Sequence, residues 1–286
     1  MMLIVGLLVV VVCTLGGYAA MGGKLLVLWQ PFELVIIGGA AVGAFLIANP
    51  RDVAIAAARG FGRAMRGAKF KREHYLELLT MQYQVFKVAK TRGLLALEQH
   101  IEKPRESTLF AQFPLFFNET HAVTFLTDYL RLMTLGSDNP HEIEALMDEE
   151  IETHHHEATQ VAHALQIMSD GLPALGIVAA VLGVIKTMGS ITEPPEILGK
   201  LIGGALVGTF LGVWLSYGFI GPIASILKQI ADAELKYLQC MKAGLLAHLH
   251  GSAPAISVEY ARKALASEVR PSFYEVEEAC AALPPA

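Results

Sequence analysis

Two long apolar segments lie close together in this chain: GLPALGIVAAVLGVIKTMGSI (171–191) and LIGGALVGTFLGVWLSYGFIGPIASIL (201–227). A short polar stretch, TEPPEILGK, joins them. Each is long enough to cross a bilayer as a helix, which takes roughly 20 apolar residues. The joining hairpin then sits on one side of the membrane. Pro173 and Pro222, near the far ends of the two segments, sit together on the other side.

Composition agrees with a membrane class. Of 286 residues, 53% are hydrophobic and only 17% charged, with a mean hydropathy of +0.46. Soluble domains carry about 25% charged residues. The net charge of −5 gives no argument for nucleic-acid binding. Cys13, Cys240 and Cys280 lie far apart and in no metal-like spacing, which argues against a disulfide framework.

Residues 1–23 carry no charge. Ala19 and Ala20 resemble a signal-peptide cleavage site, but no basic region precedes the apolar run, so an uncleaved first span is expected. A second span is expected from Glu33 to Asn49, with Gly39 and Gly43 in a spacing that lets another helix approach closely. After Pro50 come Arg51, Arg59, Arg63, Arg66, Lys69, Lys71 and Arg72, whereas the opposite loops carry little positive charge. The positive-inside rule places this basic side, and both termini, in the cytoplasm. The expected fold class is an all-α membrane protein with four transmembrane helices, a large helical cytoplasmic loop and a helical C-terminal tail. The expected divisions are 1–50 (two spans), 51–170 (cytoplasmic), 171–227 (two spans) and 228–286 (cytoplasmic).

Within 51–170, helical periodicity marks 75–90, 121–136 and a long polar helix from His141 up to the third span. Gly93 is expected to interrupt the first of these and Pro104 to end its continuation. The fourth span is expected to run on as one helix to Gly251, followed by a short helix near 257–266 and a small tail.

Few groups here suggest chemistry. Glu150 and His154 share a helix face at metal-ligand spacing, yet consecutive histidines at 154–156 point apart around a helix, so no metal site is expected. Lys186 is the only ionisable residue well inside the third or fourth span, near its outer end, where it can snorkel. Neither span has an Asp or Glu in its apolar core, so a proton-handling device would take its carboxylate from a partner. Gly204, Gly208, Gly212 and Ser216 form a small-residue stripe on the fourth span, and the third span offers Gly176, Ala179, Ala180 and Gly183. The stripe could hold a partner helix or pack within the chain. Thr209 can bond back to its own helix or offer its hydroxyl outward. Pro222 and Pro173 remove backbone hydrogen bonds and serve either as hinges or as static geometry.

GLLALEQHIEKPRES (93–107), DYLRLMTLG (128–136), EIEALMDEEIETH (142–154), LPALGIVAAVLGVI (172–185), GALVGTFLGVWLSYGFIGP (204–222) and RPSF (270–273) occur in this order. In these the chain resembles the MotA family of flagellar motor stator subunits, within the MotA/TolQ/ExbB proton channel superfamily. The resemblance covers nearly the whole chain. It implies a multi-pass inner-membrane subunit, not an enzyme, without cofactor and with protons as coupling ion. It implies a homo-oligomer, a pentamer, in membrane lipid around a dimer of the single-span partner MotB, which supplies the proton-binding aspartate. Pro173 and Pro222 would couple ion flow to motion, with Thr209 and Ala180 beside that aspartate. Gly176, Gly204, Gly208 and Gly212 are the candidates for partner-helix packing. Lys90 and Glu98, with Glu150 as a further acidic residue, match positions that meet charges on the rotor protein FliG. Many relatives have arginine where Lys90 stands, and here Arg92 follows two residues later, so both are rotor-contact candidates. An ExbB/TolQ-type energy transducer is the alternative.

Overall fold

The computed structural model describes residues 2–67, 69–136 and 139–284, and among these the regular structure is all helical, with no strand. Four helices are long and apolar enough to cross a membrane: Met2–Ala20, Leu25–Ala48, Pro140–Met188 and Pro195–Leu249. The last two are far longer than a span. The third span is the end of a 49-residue helix, and the fourth is the start of a 55-residue one. The chain forms two compact units, Met1–Gly67 with Glu157–Ile230, and Ala68–His156 with Ala231–Ala286.

The first unit holds the spans. Pro31 opens the regular part of the second span, where its fixed φ suits a first helical turn and its missing N–H is not needed. Ile37 and Ala41, one turn apart, are buried against Leu172, Ala179, Val207 and Leu211 of the third and fourth spans. The first span is tied to the fourth by Trp214, whose Nε1 donates to Thr14 Oγ1 at 3.3 Å. Helix Arg51–Arg66 belongs to this unit too. Its Val53, Gly60 and Ala64 are buried, and Ala64 packs in a cluster with Leu3, Ala162 and Leu227. Ile55, Phe61 and Met65 stay exposed among four arginines, the pattern of a helix lying in a headgroup layer. Residues 51–67 therefore pack with the spans, although basic composition alone groups them with the cytoplasmic loop. Charge locates the side of the membrane, whereas apolar spacing decides what the helix packs on.

The second unit is built on helix Arg72–Arg92. Its buried Leu78, Leu79, Met81, Val85 and Phe86 share a core with Phe125, Leu126 and Leu130 of helix Thr120–Thr134. Ile143, Met147 and Ile151, spaced by one turn, bring in the start of Pro140–Met188, and Tyr237, Met241 and Leu245 bring in the last helix's second half. Gly93, at φ 82°, ends the first helix as expected, because a side chain there would meet the left-handed penalty. Pro104 opens a 3₁₀ turn.

The tail holds more structure than its composition suggests. Helices Pro254–Lys263 and Phe273–Ala281 are joined by the RPSF stretch, which acts as a capping loop. Arg270 Nε donates to Leu265 O at 2.9 Å, and Arg262 Nη1 donates to Pro271 O at 3.0 Å. Ser272 and Glu275 form a reciprocal capping box. The hydrogen bonds from Ser272, helped by the Arg72 guanidinium, hold the Glu275 carboxyl at about 2, below its ordinary 4.5. A depressed carboxylate stabilises the fold above its unfolded value and loses that effect as the pH falls toward the folded one. The cap is thus complete above pH 4.5 and fails as the pH approaches 2. Ser272→Ala is expected to raise the Glu275 value toward 4.5 and to speed amide exchange across 273–281 at neutral pH. Unchanged exchange would show that the cap is idle.

Candidate functional site

Pro173 lies inside a continuous helix. Having no N–H, it leaves the carbonyl four residues back, that of Ser169, without its helical donor. Ser216 Oγ supplies one, donating to Ser169 O at 2.6 Å. The pair is reciprocal: Ser169 Oγ donates to Ser216 O at 3.1 Å, and the two hydroxyls are 3.1 Å apart. Both serines are buried. Ser216 also opens a π turn, Ser216–Ile220, in which the Gly221 N–H bonds back to Ser216 O directly before Pro222. The π turn takes up the register change that a proline forces on a helix. Each proline-bearing helix is thus irregular at its proline, and the two irregularities clasp one another.

Beyond the clasp the two spans touch backbone to backbone. A Cβ on Gly212 would lie 2.6 Å from Leu172 O and 2.8 Å from the Gly176 Cα. One on Gly176 would lie 2.8 Å from Gly208 O, and one on Gly183 would lie 2.9 Å from the Ala205 Cα. A Cβ on Gly208 would meet Ala180 N at 3.1 Å, and one on Gly204 would meet the Gln30 amide at 3.2 Å. Gly176, Gly204, Gly208 and Gly212 are all buried inside the single chain. The expectation that these four receive a partner helix is therefore corrected: the chain's own spans fill the space that they leave. By contrast, a Cβ on Gly39 or Gly43 of the second span would have open space within 4 Å.

Ala180 and Thr209 come together at the half-buried edge of this seam, because Ala180 backs Gly208, the residue before Thr209. Thr14 and Thr187 bond back to carbonyls four residues earlier, whereas the Thr209 hydroxyl has no partner among the described residues. Its hydroxyl is the outward-offered one. Sequence reading missed Ser169 and Glu33 here, and placed Ser216 in the small-residue stripe without its hydrogen-bonding part. Ser169 carries a faint signal, since the residue four before a membrane proline, here Pro173, has a carbonyl needing a donor. Glu33, in the first turn of the second span's regular helix, reads as ordinary dipole compensation. The structure instead brings its Oε2 within 3.2 Å of the Cβ position of Gly208.

The cytoplasmic candidates divide. Lys90 and Arg92 end helix Arg72–Arg92, and Glu98 opens the short helix Glu98–Glu102; all three are exposed. Burial, and then the charge of Lys90, push the His248 imidazole below its usual value. Glu150 does not join them. Its carboxylate, half-buried, accepts a 2.7 Å hydrogen bond from the Tyr129 hydroxyl. Burial, then that bond, push the Tyr129 phenol up. Glu150 thus serves as an acceptor within the chain, set apart from Lys90, Arg92 and Glu98 by its partner Tyr129. His154 packs on His121 and His155 faces Asp232, so the histidines do diverge around their helix.

Comparison with known sequences adds to this geometry. The profile for the motility protein A N-terminal region matches residues 4–93, and that for the MotA/TolQ/ExbB proton channel family matches 118–240. Motility protein A of Salmonella typhimurium is 45% identical over 278 residues, covering 97% of this chain and 94% of that one. The chain belongs to the MotA/TolQ/ExbB proton channel family. Within it, the chain is a flagellar stator subunit of the motility protein A type. Chemotaxis protein LafT of Vibrio parahaemolyticus is 34% identical and covers 96% of each chain. The flagellar MotAB stator complex from Bacillus subtilis matches with a TM-score of 0.72 at 26% identity, covering 90% of this chain and 92% of that one. The C. jejuni MotAB structure shares the fold, with a TM-score of 0.77 at 19% identity.

The seam predicts a contrast between glycines. Gly212→Ala drives a methyl into backbone on the facing helix and is expected to lower thermal stability in detergent by about 1–3 kcal/mol. Gly39→Ala meets nothing within the chain and is expected to leave that stability unchanged. Equal behaviour of the two would contradict the seam.

Proposed function

We propose that this subunit turns proton flow into torque on the flagellar rotor, working with a MotB-type partner that carries the proton-binding acid. The observation that carries this reading is the outward-offered Thr209 hydroxyl beside Ala180, on two spans whose apolar cores hold no carboxylate. Such a surface can solvate or orient an acid brought by another helix without itself binding the proton. The flagellar MotAB stator complex from Bacillus subtilis, a solved relative at 26% identity, supports the choice of partner.

In this account the subunit sits in the inner membrane with both termini cytoplasmic, as five copies around two partner helices, and needs no cofactor and catalyses no reaction of its own. Protonation of the partner's acid near Thr209 and Ala180 changes how the third and fourth spans meet it. The irregular helices at Pro173 and Pro222 give way there. The displacement reaches Lys90, Arg92 and Glu98, which act on charges of a FliG-type rotor protein. Exposed pairs of this kind contribute about 1 kcal/mol or less each and are screened over roughly 8 Å at physiological salt. Single charge changes at this rim should therefore weaken torque, and combined ones reduce it severely.

A deletion strain complemented with this chain and its partner tests the reading. Swimming speed at fixed pH is expected to be independent of sodium concentration. Pro173→Ala or Pro222→Ala is expected to stop swimming with membrane levels retained, and the Lys90→Glu, Glu98→Lys pair to reduce it severely. Sodium-dependent speed would overturn the choice of ion, and a motile Pro173/Pro222 double variant would overturn the coupling.

A further inference from the structure

The second span contributes a carboxylate to the same seam. Glu33, Ile37 and Ala41 recur every four residues and so share one face of helix Pro31–Ala48. Ile37 and Ala41 are fully packed against the third and fourth spans. Glu33 continues that face one turn toward the outer end. Its Oε2 is buried and meets no hydrogen-bond donor among the described residues. That oxygen lies 3.2 Å from the Cβ position of Gly208, and Ala180 N lies 3.1 Å from the same point. The carboxylate is therefore at the seam beside Ala180, one residue from Thr209.

The rest of Glu33 lines an open pocket with Gln30, Gly183, Lys186, Glu196 and Lys200. The charged groups around it are thus Lys186 from the third span, and Glu196 and Lys200 from the start of the fourth helix. Lys186 shares the lining of this pocket with Glu33. These residues are at the ends of the spans that meet the outer loops. An ionisable group held at a helix seam at membrane depth, with one oxygen inward and its side chain lining a polar pocket, is the arrangement of a relay. A carboxylate that served only the helix dipole would have no need to point across at the facing helix.

We propose that Glu33 is the proton-receiving group of the outer entry path, taking a proton from water in the Gln30–Lys186–Lys200 pocket and passing it toward the partner's acid beside Ala180 and Thr209. This rests on the reading of the chain as a proton-driven stator subunit. In the step, water or hydronium gives a proton to a Glu33 carboxylate oxygen, forming the O–H bond. The same proton then leaves for the partner's carboxylate through water, so Glu33 returns to its starting charge with each proton passed. Lys186 steadies the ionised form between transfers and, as a fixed positive charge, discourages other cations from resting there.

The test uses the full chain co-expressed and purified with its MotB-type partner, reconstituted into liposomes with a pH-sensitive dye inside, beside swimming of the complemented strain. Glu33→Gln keeps the shape of the side chain but cannot exchange a proton. It is expected to cut proton flux and swimming speed roughly tenfold or more, with partner co-purification unchanged. Glu33→Asp keeps the carboxyl group and is expected to restore most of the flux, with its dependence on outside pH displaced. Wild-type flux in Glu33→Gln would overturn the relay. So would loss of partner binding in both variants, because the residue would then be a packing element. Absence of proton flux with the unaltered pair would overturn the stator reading itself, and is told apart because it precedes any substitution.

Discussion

One hydrogen bond sets the register of the membrane unit. Pro173 frees the carbonyl of buried Ser169 in the middle of a long helix, and the Ser216 hydroxyl of the neighbouring helix satisfies it at 2.6 Å. In a bilayer no water stands ready to take that role, and a buried carbonyl without a donor costs several kcal/mol. The bond can form only when Ser216 is level with Ser169. That fixes which glycines meet, Gly212 on Gly176 and Gly208 beside Ala180, and turns Thr209 to the edge. Glu33 meets the seam opposite Gly208, its Oε2 within 3.2 Å of that glycine's Cβ position.

A joint of this kind suits a moving part. The Ser169 carbonyl is held not by its own ladder but from across the interface, by a side chain that can rotate. The π turn before Pro222 adds a second place where the ladder is already out of register. In the proposed function, a change of charge at the partner's acid acts one or two turns away from these weak points. The helices beyond them are unbroken: the third span belongs to Pro140–Met188 and the fourth continues to Leu249.

Much of this was legible in the residues. Long apolar runs gave the four spans, Gly93 gave the end of helix Arg72–Arg92, and arginines after Pro50 gave the basic side. Relative placement was not legible. The glycine stripe on the fourth span looks the same whether it faces a partner or a neighbour within the chain, and only the meeting of Gly212 with Gly176 decides it. Glu150 reads as one more exposed acid in EIEALMDEEIETH, since nothing in the sequence announces that Tyr129 lies opposite. Helix Phe273–Ala281 hides in a short tail because its start depends on a cap, Ser272 with Glu275, and not on a long apolar run. Glu33 escapes notice because a carboxylate in a first helical turn already has an ordinary explanation.

The claim that a serine stands in for the donor missing at Pro173 is tested most directly by a double-mutant cycle. Ser216→Ala is made with Pro173 in place and again in a Pro173→Ala background, and unfolding in detergent is measured for all four proteins. With proline present, removing the hydroxyl should cost about 1–3 kcal/mol, the penalty of an orphaned buried carbonyl. With alanine at 173, the helix has its own N–H for that carbonyl, and the same change should cost much less, leaving a coupling of about 1 kcal/mol or more. Additive effects would show that the serine clasp does not replace the missing donor and that the register of the two spans is set elsewhere.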